Sequence, residues 1–270
     1  MRRAVGNTKN VFFANDIGCY SMMVLPPILW SDSQQCMGAG LGISAGVQYC
    51  IEEKVFAAIG DSTLFHAGLP GIVNLVHNND DVTIFALDNN VTAMTGQQSH
   101  PGTNRKAGGL PGEKLDIKKV LHGLGVEKVW EINSFENVLD NVKVIKEAIA
   151  YDGPSAVVSH GECALYHFRN YRHAGGKVVP YYVDEDLCEN RHACIFNFLC
   201  PALSVKEDGK AKIDPELCVG CGVCAQLCPH GAIKSTATLK GYRDGPITTL
   251  DEYHEFANAQ VGKENNEGVE

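Results

Sequence analysis

Short apolar runs alternate with helical patterns over the first 160 positions of the chain. The predicted strands are Val11–Ile17, Val55–Ile59, Val82–Leu87, Lys128–Ile132 and Ser155–Ser159. The predicted helices are Met37–Tyr49, His66–His77, Lys114–Leu124 and a longer one opened by Ser134, in which Val138, Val142, Ile145 and Ile149 recur at three- and four-residue intervals. This alternation predicts an α/β fold with a doubly wound, mostly parallel sheet.

Glycine is concentrated in two of the segments between these strands. The helix Met37–Tyr49 contains several glycines, each of which costs about 1 kcal/mol of helix stability, so we expect it to press closely on its neighbours or on a cofactor. The polar loop His100–Gly112 either closes over a bound diphosphate or stays solvated, and composition does not choose between the two.

Oxygen-bearing side chains follow two of the predicted strands. Asp61 comes after Val55–Ile59 and Gly60, and Asn89 comes after Val82–Leu87 and Asp88. Open α/β sheets bind ligands at the carboxyl ends of their strands. Carboxylate, amide and carbonyl oxygens are hard donors that suit Mg²⁺ or Ca²⁺ held on a phosphate-bearing cofactor. For Gly60-Asp61-Ser62 alone, an ordinary turn is the stronger interpretation; both segments in order favour a site.

Composition and charge narrow the class of protein. The chain has 270 residues, of which 44% are hydrophobic, and this is enough for one sizeable domain and a small one. Its 32 acidic residues outnumber 23 basic ones, for a net charge of -9, which argues against a nucleic-acid surface. The sequence has no apolar run of about 18 residues and no apolar signal core, so we expect a cytoplasmic protein without a membrane span.

Eleven cysteines are distributed unevenly, with four before position 180 and seven between 188 and 228. In a chain without a secretion signal, such clustering indicates metal rather than disulfides. It also predicts a boundary near Lys177. The predicted domains are 1–177, 178–240 for the cysteine module, and 241–270 as an acidic, flexible tail.

The run from Cys218 to Pro229 fits the bacterial ferredoxin pattern C-x2-C-x2-C-x3-C-P without a mismatch. Zinc modules separate two C-x2-C pairs by a longer stretch, so iron–sulfur is the stronger interpretation. We therefore predict a small α+β domain like a bacterial ferredoxin.

The other half of the cysteine module is degenerate, because Arg191 occupies the position of a second cysteine ligand. In two-cluster ferredoxins the fourth cysteine of each run binds the other cluster. One [4Fe–4S] cluster is therefore predicted on Cys200, Cys218, Cys221 and Cys224. The thiolates left for a second cluster are Cys188, Cys194 and Cys228. That site holds a [3Fe–4S] cluster, a [4Fe–4S] cluster with a non-cysteine ligand such as His192, or none; we favour a cluster.

Two segments, Asp61–Gly71 and Asp88–Thr103, resemble the thiamine diphosphate (TPP) motif, and more closely the alpha subunit of indolepyruvate:ferredoxin oxidoreductases. The resemblance spans about residues 11–238, which correspond to the C-terminal part of that subunit. It implies a TPP-binding domain. The pyrimidine-binding domain and a Cys-Pro-Gly-Cys-Pro-His segment, which lie upstream in the family, are not matched, so we expect another chain to supply that half.

The resemblance also implies site residues. Mg²⁺ would be held by the side chains of Asp61 and Asn89 and by the carbonyl of Val91. The diphosphate would be lined by Met37, Gly38, Gly60, Ser62, Thr95 and Gly96. We assign no catalytic acid or base, because lone histidines such as His66 and His100 are seldom catalytic, and we expect Asp88 to shape the turn.

Four cysteines lie outside the module. In related 2-oxoacid oxidoreductases, cysteines like Cys19 and Cys163 join an upstream pair around a cluster near TPP. Because that pair is missing from this sequence, we predict that Cys19 and Cys163 are small buried apolar residues, and we predict the same for Cys36 and Cys50.

The two modules together indicate an oxidative reaction. Decarboxylation on TPP leaves an electron-rich enamine on the cofactor. A non-oxidative enzyme protonates this enamine, whereas an oxidoreductase removes two electrons from it, and iron–sulfur clusters accept electrons one at a time. The resemblance implies that an aryl 2-oxoacid, coenzyme A and oxidised ferredoxin give aryl-acyl-CoA, CO₂ and reduced ferredoxin, with a beta-type subunit as a further partner. The alternatives are a non-catalytic electron-transfer protein with a remnant TPP domain, and a non-redox TPP decarboxylase whose cysteines bind zinc.

Overall fold

The computed structural model describes residues 2–5, 11–26, 28–173, 178–196 and 198–235. The predicted tail 241–270 and the residues around the boundary at 177 lie outside this part of the chain. Two compact units are formed, Met1–Ser134 with Leu139–Cys163 and Phe135–Val138 with Ala164–Glu270. The domain limits expected from the sequence stay predictions.

The first unit is built on a six-stranded parallel sheet in the order β2-β1-β3-β4-β6-β5. Its elements are α1 (Arg2–Val5), β1 (Val11–Asn15), β2 (Ser33–Gln34), α2 (Ala39–Val47), β3 (Lys54–Gly60), α3 (Asp61–Thr63), α4 (Leu69–Asn78), β4 (Val82–Asp88), α5 (Ile117–Gly123), β5 (Lys128–Asn133), α6 (Val138–Ile149) and β6 (Ser155–His160). A 3₁₀ segment, Cys19–Val24, and a π-helical turn, Leu64–Gly68, complete it. The predicted α/β class and all five predicted strands are confirmed, and the short β2 is added.

The strand β3 shows why the apolar runs are nearly continuous. Val55, Ala57 and Ile59 belong to one buried cluster with residues of α2, α4 and α5, whereas Phe56 and Ala58 belong to another with residues of α6. Successive side chains of a strand point to opposite faces, so a sheet covered by helices on both sides needs apolar residues at every position. This is the doubly wound arrangement that the sequence predicts.

The order of the strands places a crevice beside β1. From β1 the chain moves outward to β2, and it then returns to form β3 on the opposite side of β1. The carboxyl ends of β1 and β3 therefore flank the point where the winding direction reverses. Parallel sheets bind ligands at such points.

The second unit is small and mixed. It contains α7 (Ala164–His173), β7 (Tyr181–Val183), α8 (Ala193–Phe196), β8 (Leu203–Val205), β9 (Ala211–Ile213), α9 (Val223–Leu227) and β10 (Ile233–Ser235). Its strands form two antiparallel pairs, β10 with β7 and β8 with β9. Buried Cys194 and Cys224 belong to the core between them, together with Tyr181, Leu203 and Ile213. The α+β, ferredoxin-like domain is confirmed.

Candidate functional site

A cavity opens at the carboxyl ends of the parallel strands. It is lined by Ile17, Gly18, Cys19, Tyr20, Met37, Gly60, Asp61, Ser62, Thr63, Leu87, Asn89, Val91, Thr92, Ala93, Met94 and Thr95. Seven of the nine residues predicted to bind cofactor are among these. The other two, Gly38 and Gly96, are not among the lining residues; Gly38 begins α2, where its backbone is left-handed at φ 88°. The cofactor-binding roles stay predictions.

Asp61 and Asn89 meet directly at this edge of the sheet. The Asn89 backbone N–H donates to Asp61 Oδ2 at 3.0 Å, and the Ser62 N–H donates to Asp61 Oδ1 at 2.7 Å. Asn89 Oδ1 accepts from the Val91 N–H at 3.1 Å, which folds the chain back toward β3. Asp61 is only 2% exposed, so its negative charge is costly without a compensating cation. The carboxylate, the amide oxygen and nearby carbonyls are a donor set that fits Mg²⁺.

His100 lies beside Asp61 and is not among the residues that line the cavity. Its side chain is fully buried, and its Nε2 lies 3.2 Å from Asp61 Oδ2 without the alignment of a hydrogen bond. The Gly102 N–H donates to His100 Nδ1 at 3.1 Å, so Nδ1 is the acceptor nitrogen and Nε2 carries the proton that faces Asp61. A Cβ on Gly102 would lie 2.7 Å from Phe65 Cε2, so only glycine allows this approach.

The rest of the loop that begins at His100 is divided in two. His100 and Thr103 are buried, and the Thr103 hydroxyl donates to the His100 carbonyl at 2.7 Å. Residues 104–111 are exposed and fold back on themselves, with the Lys106 N–H donating to the Leu110 carbonyl at 2.8 Å. The base of the loop is therefore packed and its tip is exposed, and closure of the loop over a diphosphate stays a prediction.

Asp16 and Tyr20 are residues of this site that the sequence analysis did not identify. The carboxylate of Asp16, which is buried, accepts from the Gly38 N–H at 2.8 Å and the Gly40 N–H at 2.5 Å, and burial raises its pKa. The Tyr20 hydroxyl accepts from the Gly60 N–H at 3.1 Å. Asp16 follows the strand β1 just as Asp61 follows β3, and this repeated position is the signal that would have found it.

A charged network joins the ends of β4, β5 and β6. His160 Nδ1 lies 3.0 Å from Asp88 Oδ2, and His160 Nε2 lies 3.2 Å from Glu131 Oε1. The hydrogen bond to Asp88 raises the pKa of His160 despite its burial. Burial opposes ionisation of Asp88, but His160 and Lys114 outweigh it and lower the pKa of this carboxyl. Asp88 therefore binds neighbouring strands together at the tip of β4.

The prediction that the four other cysteines are buried apolar residues is wrong. Cys19, Cys36 and Cys50 are exposed and Cys163 is half-buried. Cys19 lines the cavity, where partial removal of its thiol from water, and then the charge of Cys163, raise its pKa. The Cys163 N–H donates to the Asn89 carbonyl at 3.1 Å, so Cys163 lies beside the tip of β4.

The two predicted cysteine sets of the module stay predictions. Burial, and then the charges of Cys221, Cys218, Cys200 and Cys194, raise the pKa of the Cys224 thiol. The Tyr181 N–H donates to Cys218 Sγ at 3.4 Å. Across the described residues, no three His, Cys, Asp or Glu side chains are placed to hold one metal ion. A cluster differs from a zinc ion in this respect, because each thiolate binds a different iron.

Two family models match the sequence. The model described as "Thiamine pyrophosphate enzyme, C-terminal TPP binding domain" matches residues 16–159, and a "4Fe-4S binding domain" matches residues 211–234. The first covers the strand tips described above, and the second covers the uninterrupted cysteine run. Within the described residues, no helix combines the length and apolar character of a membrane span.

Curated relatives match most of this chain and are themselves longer. The chain is 41% identical over 234 residues to "Indolepyruvate oxidoreductase subunit IorA" of Archaeoglobus fulgidus, covering 87% of this chain and 37% of that protein. It is 38% identical over 242 residues to the subunit of the same name from Pyrococcus horikoshii, covering 84% and 37%. The chain therefore spans little more than a third of these relatives. The predicted resemblance to the C-terminal part of the alpha subunit is confirmed.

A solved structure shares the fold of the chain. It is the 2-oxoglutarate:ferredoxin oxidoreductase from Magnetococcus marinus, determined with 2-oxoglutarate, coenzyme A and succinyl-CoA bound. The TM-score is 0.53 at 20% identity, over 60% of this chain and 58% of that one. At this identity the likeness concerns the fold alone.

Proposed function

The chain belongs to the thiamine pyrophosphate enzyme family through its TPP-binding domain, and from this premise we propose that it is part of a 2-oxoacid:ferredoxin oxidoreductase. The proposed reaction is the oxidative decarboxylation of an aryl 2-oxoacid resembling indolepyruvate to an aryl-acyl-CoA, with electrons passing through iron–sulfur clusters to ferredoxin. One observation carries the proposal. A buried carboxylate, Asp61, is bonded to Asn89 at a strand-end cavity, in the same chain as an intact ferredoxin cysteine run.

The residues of the cavity and of the cysteine module have different proposed roles. Asp61, Asn89 and the Val91 carbonyl would hold Mg²⁺. The diphosphate would be held by Met37, Gly38, Gly60, Ser62, Thr95 and Gly96. When bound, TPP supplies a carbanion that makes the carboxylate of a 2-oxoacid a leaving group, and the cluster on Cys200, Cys218, Cys221 and Cys224 takes up electrons. Asp16 fixes the start of α2 against the cavity by binding two of its N–H groups.

A partner chain is part of the proposal. The TPP site is proposed to work together with a pyrimidine-binding half like that of the family and with a beta-type subunit. Apolar side chains next to the cavity support a covering partner. Met22 is 64% exposed, Leu25 53% and Leu29 65%, and they follow the cavity-lining residues Cys19 and Tyr20 in sequence.

Calorimetric titration with TPP and Mg²⁺ tests the cofactor site, using the chain mixed with the chain that supplies the pyrimidine-binding half. We expect Asp61→Asn to weaken binding by more than about tenfold, because even residues outside the first ligand shell contribute that much to metal affinity. Asp80→Asn is the matched control. Asp80 is also 2% exposed, but it precedes β4 at the opposite edge of the sheet and accepts from the Tyr49 hydroxyl.

Adding indolepyruvate and coenzyme A to the same mixture tests the reaction. We expect both to be required for reduction of the clusters, observed by electron paramagnetic resonance (EPR). If no mixture binds TPP while dithionite still reduces the clusters, the chain is an electron-transfer protein with a remnant domain. Zinc in place of iron would leave a decarboxylase without redox chemistry.

A further inference from the structure

Tyr20 brings to the cavity a hydroxyl whose proton the protein does not use. The oxygen accepts from the Gly60 N–H at 3.1 Å, which leaves the O–H of the same group free to donate. Within the described part of the chain, this hydroxyl has no second hydrogen bond. Tyr20 and Gly60 both line the cavity, so the proton is available to a bound molecule.

The ring of Tyr20 is held in place by the turn that precedes it. The Ser21 N–H and the Ser21 hydroxyl both donate to the Gly18 carbonyl, at 2.9 and 2.5 Å. A Cβ on Gly18 would overlap Tyr20 Cε1, so the ring lies directly against the Gly18 backbone and requires a glycine there. The ring also packs against the buried cluster that contains Phe13 and Phe56. The hydroxyl is therefore fixed at the end of β3 before any ligand binds.

Two buried carboxylates keep the hydroxyl in its neutral, proton-carrying form. Burial, and then the negative charges of Asp16 and Asp61, raise the pKa of Tyr20. Neither carboxylate takes up the Tyr20 proton in a hydrogen bond, because both accept from backbone N–H groups instead. The phenol is thus a donor at neutral pH, and its acceptor has to come from outside the chain.

The lining of the cavity indicates what that acceptor is. None of the described lining residues is a lysine, an arginine or a histidine. A diphosphate bound here would be neutralised by the cation proposed at Asp61 and Asn89, and its other oxygens would depend on neutral N–H and O–H donors. The Tyr20 hydroxyl is anchored one residue before Asp61, beside the proposed metal site.

We propose that Tyr20 is a further cofactor-binding residue, whose hydroxyl donates a hydrogen bond to an oxygen of the TPP diphosphate. The Gly60 N–H holds the hydroxyl through its lone pair, and the proton is directed to the phosphate. This inference rests on the proposed function, since it needs TPP in the cavity. Tyr20 lies outside Asp61–Gly71 and Asp88–Thr103, the two segments that carry the family resemblance.

The test is calorimetric titration of Tyr20→Phe with TPP and Mg²⁺, in the mixture with the chain that supplies the pyrimidine-binding half. We expect Kd to rise about 10- to 100-fold, because the phenyl ring keeps the packing but offers the charged phosphate no proton. Tyr49→Phe is the matched control. It also removes a phenol hydroxyl, one that donates to Asp80 at 2.7 Å at the opposite edge of the sheet, and it should leave Kd unchanged.

Replacing Tyr20 by 3-fluorotyrosine separates donation to phosphate from support of Gly60. Fluorine makes the phenol a stronger donor and a weaker acceptor, so we expect TPP to bind more tightly than to the natural protein. Weaker binding would mean that the hydroxyl only accepts from Gly60, and the inference would be wrong. It would be wrong as well if Tyr20→Phe bound TPP as the natural protein does. Absence of TPP binding by the natural protein is a different result, which would refute the proposed function itself.

Discussion

Asp61 is the residue whose surroundings explain most about the site. Two backbone N–H groups and one buried imidazole lie around its carboxylate, and all three come from different parts of the chain. Its own position after a buried strand is readable from the sequence. The orientation of its two oxygens is decided by Ser62, Asn89 and His100. His100 contacts Asp61 and does not line the cavity, so we regard it as a positioning residue rather than a catalytic one.

Replacing His100 should weaken metal binding more than it weakens the fold. We expect His100→Phe to lower the affinity for Mn²⁺, bound together with TPP, by about 10- to 100-fold, because the Asp61 carboxylate then loses the imidazole that faces its Oδ2. The aromatic ring preserves the packing against Phe65, whose centroid lies 6.1 Å away. The bound Mn²⁺ is measured by its EPR signal in the mixture with the partner chain.

The matched variant is His100→Gln, whose amide N–H reaches toward Asp61 as Nε2 does. It should recover most of the affinity that His100→Phe loses. Equal Mn²⁺ affinity in all three proteins would show that His100 only fills space. Equal losses in both variants, with unfolding at lower urea concentrations, would assign it to folding instead.

At the scale of elements, the glycines of helix α2 differ in how closely other atoms approach them. A Cβ at Gly40 would lie 2.8 Å from Asp16 Oδ1 and 3.2 Å from the Ala14 carbonyl, so this position requires glycine. Gly42 and Gly46 have nothing within 4 Å of the same Cβ position. The expectation of a closely packed glycine helix therefore holds for one face. The sequence pattern does not separate the two faces, because every glycine has the same local signature.

Two alanine substitutions in α2 should change stability in opposite directions. Gly40→Ala should cost about 1–3 kcal/mol, since a buried methyl displaces the Asp16 carboxylate and the end of β1. Gly42→Ala should gain up to about 1 kcal/mol from better helix propensity. The free energy of unfolding in urea measures both. A stabilising Gly40→Ala would mean that α2 shifts away from β1 without cost.

The helical segment that leads from β3 into α4 is a second element, and the sequence explains its irregular shape. The chain stays helical from Asp61 to Asn78, but Leu64–Gly68 widens into a π-helical turn just before Pro70. A proline supplies no N–H to the preceding turn, and π-turns are frequent at functional sites. The sequence pattern predicts a helix that begins at His66. The earlier start is not visible in the pattern, because Asp61-Ser62-Thr63 resembles a loop in composition.

At the scale of the molecule, the two units have different sources of stability. The sheet of the first unit buries continuous apolar clusters on both faces. In the second unit, cysteines form a large part of the core and its strands are only three residues long. A small core of this kind depends on its metal, because cluster binding and folding are coupled.

Removing the iron should therefore unfold one unit and spare the other. After treatment with a chelator and an oxidant, we expect amide hydrogen exchange to become fast across 178–235 while β3 and β4 stay protected. Titration with TPP and Mg²⁺ should be unchanged in the same sample. Loss of protection in β3 and β4 would mean that the clusters support the whole chain, and full protection of 178–235 would mean that the small unit folds without them.

The sequence by itself determined the features that depend on residues near each other along the chain. These are the alternating strands and helices, the tips at Asp61 and Asn89, the ferredoxin run and the missing ligand at Arg191. Only the tertiary structure decided which distant groups meet: Asp16 with α2, His100 with Asp61, His160 with Asp88, and the exposure of Cys19. The physical reason is that periodicity and ligand spacing are local properties, whereas the neighbours of a strand tip are set by how non-adjacent strands line up in the sheet.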